Sequence, residues 1–186
     1  VAAGAADSRK RWPVAAFSEV CRALIDKHKI PVFFVGGPED REYTESVIRE
    51  LPSSAVNPVR EPSSLTVISG KKLEPDTDSP LTENPPLTSV SNGVNLCGRL
   101  SLLESAWVLK NSRLVISNDS AVMHLSSYFD VSVVALFGPT DPEKYGPWGQ
   151  GGYSVQTKQF SPSGEGLIDG IKSEDVLTKI KEHMLL

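Results

Sequence analysis

The chain has 186 residues, 39% of them hydrophobic and 23% charged, with a formal net charge of −4. That composition suits one globular domain with a well-buried core, and an acidic balance without a Lys/Arg-rich stripe gives no electrostatic footprint for nucleic acid. No apolar run approaches the ~20 residues that span a bilayer, and the opening VAAGAADSRKRWP lacks the apolar core of a signal peptide.

Val1-Ala2-Ala3-Gly4 reads as the end of a strand, and a start at Val rather than Met reads as that of a piece of a longer chain. Residues 13–29 are predicted helical: Pro13 suits a first turn, and Val14, Phe17, Val20, Cys21, Leu24 and Ile25 recur at helical spacing. A compact apolar strand is expected over 31–35, closed by Gly36-Gly37-Pro38, and a helix with an acidic first turn over 39–51. The pattern then fails. Residues 52–93 are rich in Pro, Ser, Thr and Asn, with one strand-like run, Leu65-Thr66-Val67-Ile68. A compact α/β unit rarely contains so long a connection, so this stretch is expected to be a mobile or disordered surface insertion.

Order returns with a predicted strand over 94–97. A helix over 101–110 follows, with Ser101 and Glu104 spaced as a capping box. Strands are expected over 113–117 and 131–137, flanking a helix over 120–129. A short strand over 153–157 and a helix over 174–183, capped by Ser173, complete the chain. Strands alternating with helices of this length imply parallel β-α-β units, hence an α/β fold with a Rossmann-like doubly wound parallel sheet. The two cysteines, Cys21 and Cys97, offer neither a disulfide framework nor metal-ligand spacing and are expected to be buried and reduced.

Residues 116–149 are the most informative stretch. Two apolar runs each end in a polar turn, Ser117-Asn118-Asp119-Ser120 and Gly138-Pro139-Thr140-Asp141-Pro142. In open α/β sheets, ligands bind outside the carboxyl ends of the strands, where both turns fall. Asp119 and Ser120 stand at a helix start, where free N–H groups and the helix dipole favour an anion such as a diphosphate. The Asp119 carboxylate would itself repel phosphate, so it is expected to cap the helix or bind a hydroxyl. His124, one helical turn further, can face the same cleft. A purely structural reading makes Asp119-Ser120 a plain N-cap and His124 a helix histidine packed against Trp or Met. The second turn is a candidate cleft wall, or simply a tight turn. At the amino end, Lys10 and its neighbours Arg9 and Arg11 follow small residues and precede a helix. That pattern suits phosphate oxygens, or else a solvated loop beside a packed Trp12. No Gly-x-Gly-x-x-Gly, Walker loop, Gly-x-Ser-x-Gly elbow or zinc spacing is present, which disfavours nicotinamide, P-loop and hydrolase chemistry.

Taken together, Lys10-Arg11-Trp12-Pro13, Gly36-Gly37-Pro38, Leu100-Ser101-Leu102, Ser117-Asn118-Asp119-Ser120 with Met123-His124-Leu125, and Gly138-Pro139-Thr140-Asp141-Pro142 resemble glycosyltransferase family 9, the ADP-heptose:lipopolysaccharide heptosyltransferases. The resemblance covers the carboxyl-terminal, donor-binding half of a two-domain GT-B fold and leaves residues 52–93 outside. It implies that Lys10 pairs with the donor diphosphate, that Asp119, Ser120 and Ala121 contact phosphates and heptose, and that His124 helps stabilise the leaving nucleotide. Leu100 would lie against the adenine and Asp40 would reach the ribose, with Thr140 and Asp141 also counted among the donor-binding residues. The family usually has Gly where this chain has Ala121, and a methyl group there could crowd a phosphate or change sugar preference.

The resemblance further implies an inverting transfer of heptose from ADP-heptose to a lipopolysaccharide core acceptor at the cytoplasmic face of the inner membrane. The acceptor site and general base would lie in an amino-terminal domain outside these residues. No catalytic residue falls on this chain, which alone should transfer nothing. No cofactor, metal or nucleic acid is expected; ADP-heptose is a substrate. Two alternatives stay open: another GT-B enzyme, either a transferase using a different nucleotide-sugar or an epimerase, and a non-catalytic nucleotide-binding module.

Overall fold

The computed structural model describes residues 1–4, 8–51, 93–149, 152–156 and 168–184. Helices α1 (Val14–His28), α2 (Arg41–Arg49), α3 (Leu102–Lys110), α4 (Ala121–Tyr128), α5 (Pro142–Tyr145) and α6 (Ser173–Met184) alternate with strands. The strands are β1 (Val32–Phe34), β2 (Gly93–Asn95), β3 (Val115–Asn118), β4 (Val133–Phe137) and β5 (Gly152–Gln156). The expected insertion over 52–93, all but Gly93, and its predicted strand lie outside the described residues.

Every strand pairing is parallel: β1 with β2, β3 with β4, and β4 with β5. Residues 1–3 stitch the two groups together. Val1 donates from its amino group to Phe33 O and accepts from Val35 N at 2.9 Å. On the other side, Ala2 N donates to Ile116 O at 2.8 Å, and Ala2 bridges Ser117 in parallel. The order across the sheet is therefore β2, β1, residues 1–3, β3, β4, β5. Counting residues 1–3 as the first strand, this is the 3-2-1-4-5-6 order of doubly wound dinucleotide folds. The expected α/β, Rossmann-like class is what the chain adopts.

Helices cover both faces, and the period of two along the strands shows why. In β4, Val134 and Leu136 join the core built by Trp12, Phe17, Val20, Val47 and Ile180, beneath α1, α2 and α6. The alternate residues Val133, Ala135 and Phe137 pack with Leu109 and Met123, beneath α3 and α4. All residues of β3 and β4 are buried, as a parallel sheet sandwiched between helices requires. Both cysteines are free and buried, as expected, and burial pushes the Cys21 thiol up to about 12.

Element boundaries differ from expectation where side chains compete with the backbone. Strand β2 starts at Gly93 and ends at Asn95 rather than Cys97, because the Asn95 side chain accepts from Cys97 N at 3.0 Å and turns the chain. The second helix starts with a 3-10 turn, Pro38–Asp40, ahead of α2. The predicted capping box on α3 is present in full: Ser101 Oγ accepts from Glu104 N, and Glu104 accepts from Ser101 N.

Candidate functional site

In the observed strand order, the topological switch point lies between residues 1–3 and β3, where the sheet reverses direction of growth. The crevice at their carboxyl ends is the expected ligand position. The candidate residues fall along this edge in spatial order: Leu100 beyond β2, Asp40 beyond β1, Lys10 after residues 1–3, Asp119 and Ser120 after β3, and Thr140 and Asp141 after β4.

Three of them converge at the switch point. Lys10 Nζ donates to Asp119 Oδ2 at 2.6 Å, and Thr140 Oγ1 donates to the same oxygen at 2.7 Å. Asp119 therefore binds a hydroxyl of the protein itself, that of Thr140, and does not cap the helix. The N-cap of α4 is Ser120, in extended conformation, and it makes no capping bond; its hydroxyl lies 3.0 Å from Ser117 Oγ. The first turn of α4 thus keeps its positive dipole end without a side-chain acceptor. Ala121 is exposed at the first position of this helix.

Asn118 fixes the width of the crevice. Its buried amide donates to Ala3 O at 2.7 Å and lies 3.4 Å from Gly4 O, tying β3 to the strand beside it. Sequence reasoning missed this role, since an Asn at a strand end reads as turn chemistry.

The remaining predicted residues have structural partners. Asp40 accepts from Gly37 N at 3.1 Å, faces Arg11 at 3.8 Å and is almost buried. Burial raises its pKa above the ordinary carboxylate value, although the Gly37 N–H and Arg11 pull the other way. A Cβ on Gly4 would come within 1.9 Å of this carboxyl group, so any larger residue there would have to displace the Asp40 side chain. Asp141 caps α5 by accepting from Glu143 N at 2.9 Å. Leu100 is half-buried in the turn before α3. Trp12 is fully buried, donates to Ile171 O and meets Phe17 edge-on, so it anchors the core.

His124 packs against Trp148, ring centroids 5.2 Å apart, and its buried Nδ1 has no hydrogen-bond partner among the described residues. This is the contact that the purely structural reading of His124 expected, although Trp148 itself was not singled out because Gly146-Pro147-Trp148-Gly149 reads as a turn. A cavity of about 570 Å³ opens at the opposite, amino end of the strands, between Leu24, Ile30, Trp107 and Leu114. It contains none of the candidate residues. Among the described residues no group of three His, Cys, Asp or Glu side chains could hold a metal ion, and no helix is long and apolar enough to cross a membrane.

Residues 79–163 match the profile of glycosyltransferase family 9 (heptosyltransferase), a segment that carries every candidate residue except Lys10 and Asp40. Those residues are a glycosyltransferase family 9, heptosyltransferase-like segment. The match starts inside the stretch that the sequence resemblance left out. Among curated relatives, lipooligosaccharide heptosyltransferase 2 of Campylobacter jejuni serotype O:6 is 35% identical over 141 residues, covering 76% of this chain and 33% of that protein. Lipopolysaccharide heptosyltransferase 2 of Salmonella typhimurium is 23% identical over 72% of this chain and 28% of its own length. Among solved structures, Escherichia coli ADP-heptose heptosyltransferase II superimposes with a TM-score of 0.71 at 19% identity, over 99% of this chain and 45% of that one. E. coli heptosyltransferase WaaC with ADP gives 0.66 at 18% identity, over 98% and 42%. The chain thus spans less than half the length of each of these proteins, and what it shares with the solved ones is the Rossmann-like α/β fold.

Proposed function

We propose that this chain is the donor-binding part of an inverting glycosyltransferase that moves heptose from ADP-heptose to a lipopolysaccharide core acceptor. The observation that carries this reading is the convergence of Lys10, Asp119 and Thr140 at the switch point, beside the uncapped start of α4. A cation, a hydroxyl-binding carboxylate and a helix dipole within one crevice suit a diphosphate linked to a polyol. The order of candidates along the sheet edge supports it too: Leu100 for the base, Asp40 for the ribose, Lys10 for the diphosphate, Asp119, Ser120 and Ala121 for phosphate and sugar. Three strand spacings separate the first from the last, a span on the order of 14 Å, comparable with an extended nucleoside diphosphate.

In this reading the acceptor hydroxyl attacks the anomeric carbon, the bond from that carbon to the diphosphate oxygen breaks, and ADP departs. The transition state carries positive charge on the sugar and added negative charge on the diphosphate. Lys10 and the N-terminus of α4 stabilise the growing negative charge, an electrostatic contribution fixed before the reaction begins. Deprotonation of the acceptor belongs to a second domain outside these 186 residues, at the cytoplasmic face of the inner membrane.

Calorimetry with ADP, UDP and GDP tests the donor class. Preferential binding of ADP is expected; a preference for UDP would overturn the heptose-donor assignment.

A further inference from the structure

The cavity at the amino end of the strands has walls from both sides of the sheet. Leu24 and Ile30 enter it from the face covered by α1, and Trp107 from the face covered by α3. A cavity that touches helices on both faces is a gap in the sheet itself. It lies between β1 and β3, in line with residues 1–3, with Pro31 and Phe33 along one side and Leu114 and Ile116 along the other. Val1 stands at its end.

The hydrogen-bond alternation of the ladder says what this gap would accept. Val1 donates to Phe33 O at 2.6 Å, and Ala2 donates to Ile116 O at 2.8 Å. Val115 N donates to Ser132 O on the β4 side, so Ile116 N turns the other way, toward the gap. Phe34 O accepts from Leu96 N on the β2 side, so Phe33 N turns toward the gap as well. Extended one residue before Val1 in the same register, a parallel strand would bring its C=O to Ile116 N and its N–H to Leu114 O. The residue before that would bring the same pair to Phe33 N and Pro31 O. The Val1 amino group already holds a ladder position, and burial lowers its pKa below the ordinary value. A peptide N–H would make the same bond without a charge to bury.

We propose that this gap is a strand lane, which takes an extended segment of about three residues, joined to the Val1 nitrogen and running parallel between β1 and β3. With helices on both faces, the segment is apolar at successive positions rather than at alternate ones. Its side chains fill the space between Leu24 and Ile30 on one face and beside Trp107 on the other. The occupant is polypeptide and not a small molecule, because the groups that face the gap are those of two sheet edges. This inference stands apart from the donor reading: it concerns the opposite edge of the sheet and the support of the strand that leads to Lys10.

The test compares the 186-residue chain with two extended forms, one with Ser-Val-Ile-Val added before Val1 and one with Ser-Gly-Asp-Gly added there. Both additions turn the charged amine into a peptide N–H, so the difference between them reports the lane alone. Amide hydrogen exchange at Phe33 and Ile116 is measured together with the thermal midpoint. The apolar addition is expected to slow exchange at both amides about tenfold or more relative to the polar one. It should also raise the midpoint by roughly 4–8 °C. Equal exchange at Phe33 and Ile116 in the two extended chains would overturn the strand lane. A higher midpoint without slower exchange at these two amides would overturn it too, since the added residues would then be buried somewhere else.

Discussion

Lys10 Nζ stands 2.6 Å from Asp119 Oδ2, across the switch point of the sheet and 109 positions away in the chain. The same carboxylate oxygen holds Thr140. In this state the Lys10 ammonium is held by the Asp119 carboxylate, and on the donor reading proposed above a diphosphate has to draw it away.

Removing the cation is predicted to weaken ADP by about 10- to 100-fold, the worth of one charge-assisted hydrogen bond of roughly 1.5–3 kcal/mol. Lys10→Ala also leaves the Asp119 carboxylate, 10% exposed at its side chain, without its counter-charge. A stability loss of about 1–2 kcal/mol is expected from that. The double variant Lys10→Ala/Asp119→Asn should regain the stability but not the affinity. Calorimetry and thermal unfolding of the four proteins of this cycle separate the two effects; ADP binding in the double variant as tight as in the Asp119→Asn single variant would contradict the role given to Lys10.

Asp119→Asn should do the reverse to the nucleotide. With the carboxylate neutralised, Lys10 is released and the repulsion of phosphate is gone, so ADP should bind as well or tighter, by up to about tenfold. ADP-heptose should lose the extra affinity that its sugar brings, because a carboxylate accepts hydroxyl bonds more strongly than an amide. The ratio of the two affinities is the readout.

Asp40 predicts a pH dependence of stability. Burial raises its pKa above the ordinary carboxylate value, so the folded chain holds this proton more readily than the unfolded one. The stabilisation is therefore present at acid pH, below the unfolded value, and is lost as pH rises through the raised folded value. Asp40→Asn keeps an acceptor for Gly37 N and removes the titration. Thermal midpoints measured from about pH 3 to about pH 7 should show the variant gaining on the parent as pH rises through that window.

Ser101→Ala tests the cap of α3 away from the charged crevice. Loss of the capping box should cost about 1 kcal/mol and lower the melting temperature by roughly 2–4 °C. Hydrogen bonds from Ser101 hold the Glu104 carboxyl below its ordinary pKa, so this contribution is present above the unfolded value and fades as pH falls through the depressed one. The difference between the two proteins should shrink in acid.

The alternation of helix and strand, and hence the fold class, was legible because it rests on periodicity: Val14, Phe17, Val20, Cys21 and Leu24 mark one helix, and 131–137 one strand. Lys10, Asp119 and Thr140 were legible as types suited to a phosphate and a polyol, but not as one cluster. Their meeting depends on strand order, which no local pattern encodes. What side chains do to neighbouring backbone was harder to see. Asn95 ends β2 early, Asp141 caps α5, and Asp40 braces the Gly37 turn. An Asp beside a turn looks the same in sequence whether it holds a ligand or its own backbone. Trp148 was hidden for a further reason: its neighbours Pro147 and Gly149 announce a loop, and only the folded loop shows that the ring stays uncovered over His124.

Asn118, by clipping β3 to residues 3 and 4, makes the carboxyl edge of the sheet a ruler graduated in strand spacings. Its middle marks, Lys10 and Asp119, cannot slide relative to each other without breaking a buried amide bond. On the donor reading proposed above, a change of donor would have to be made at the ends of that edge, near Leu100 or Thr140, with its middle held fixed.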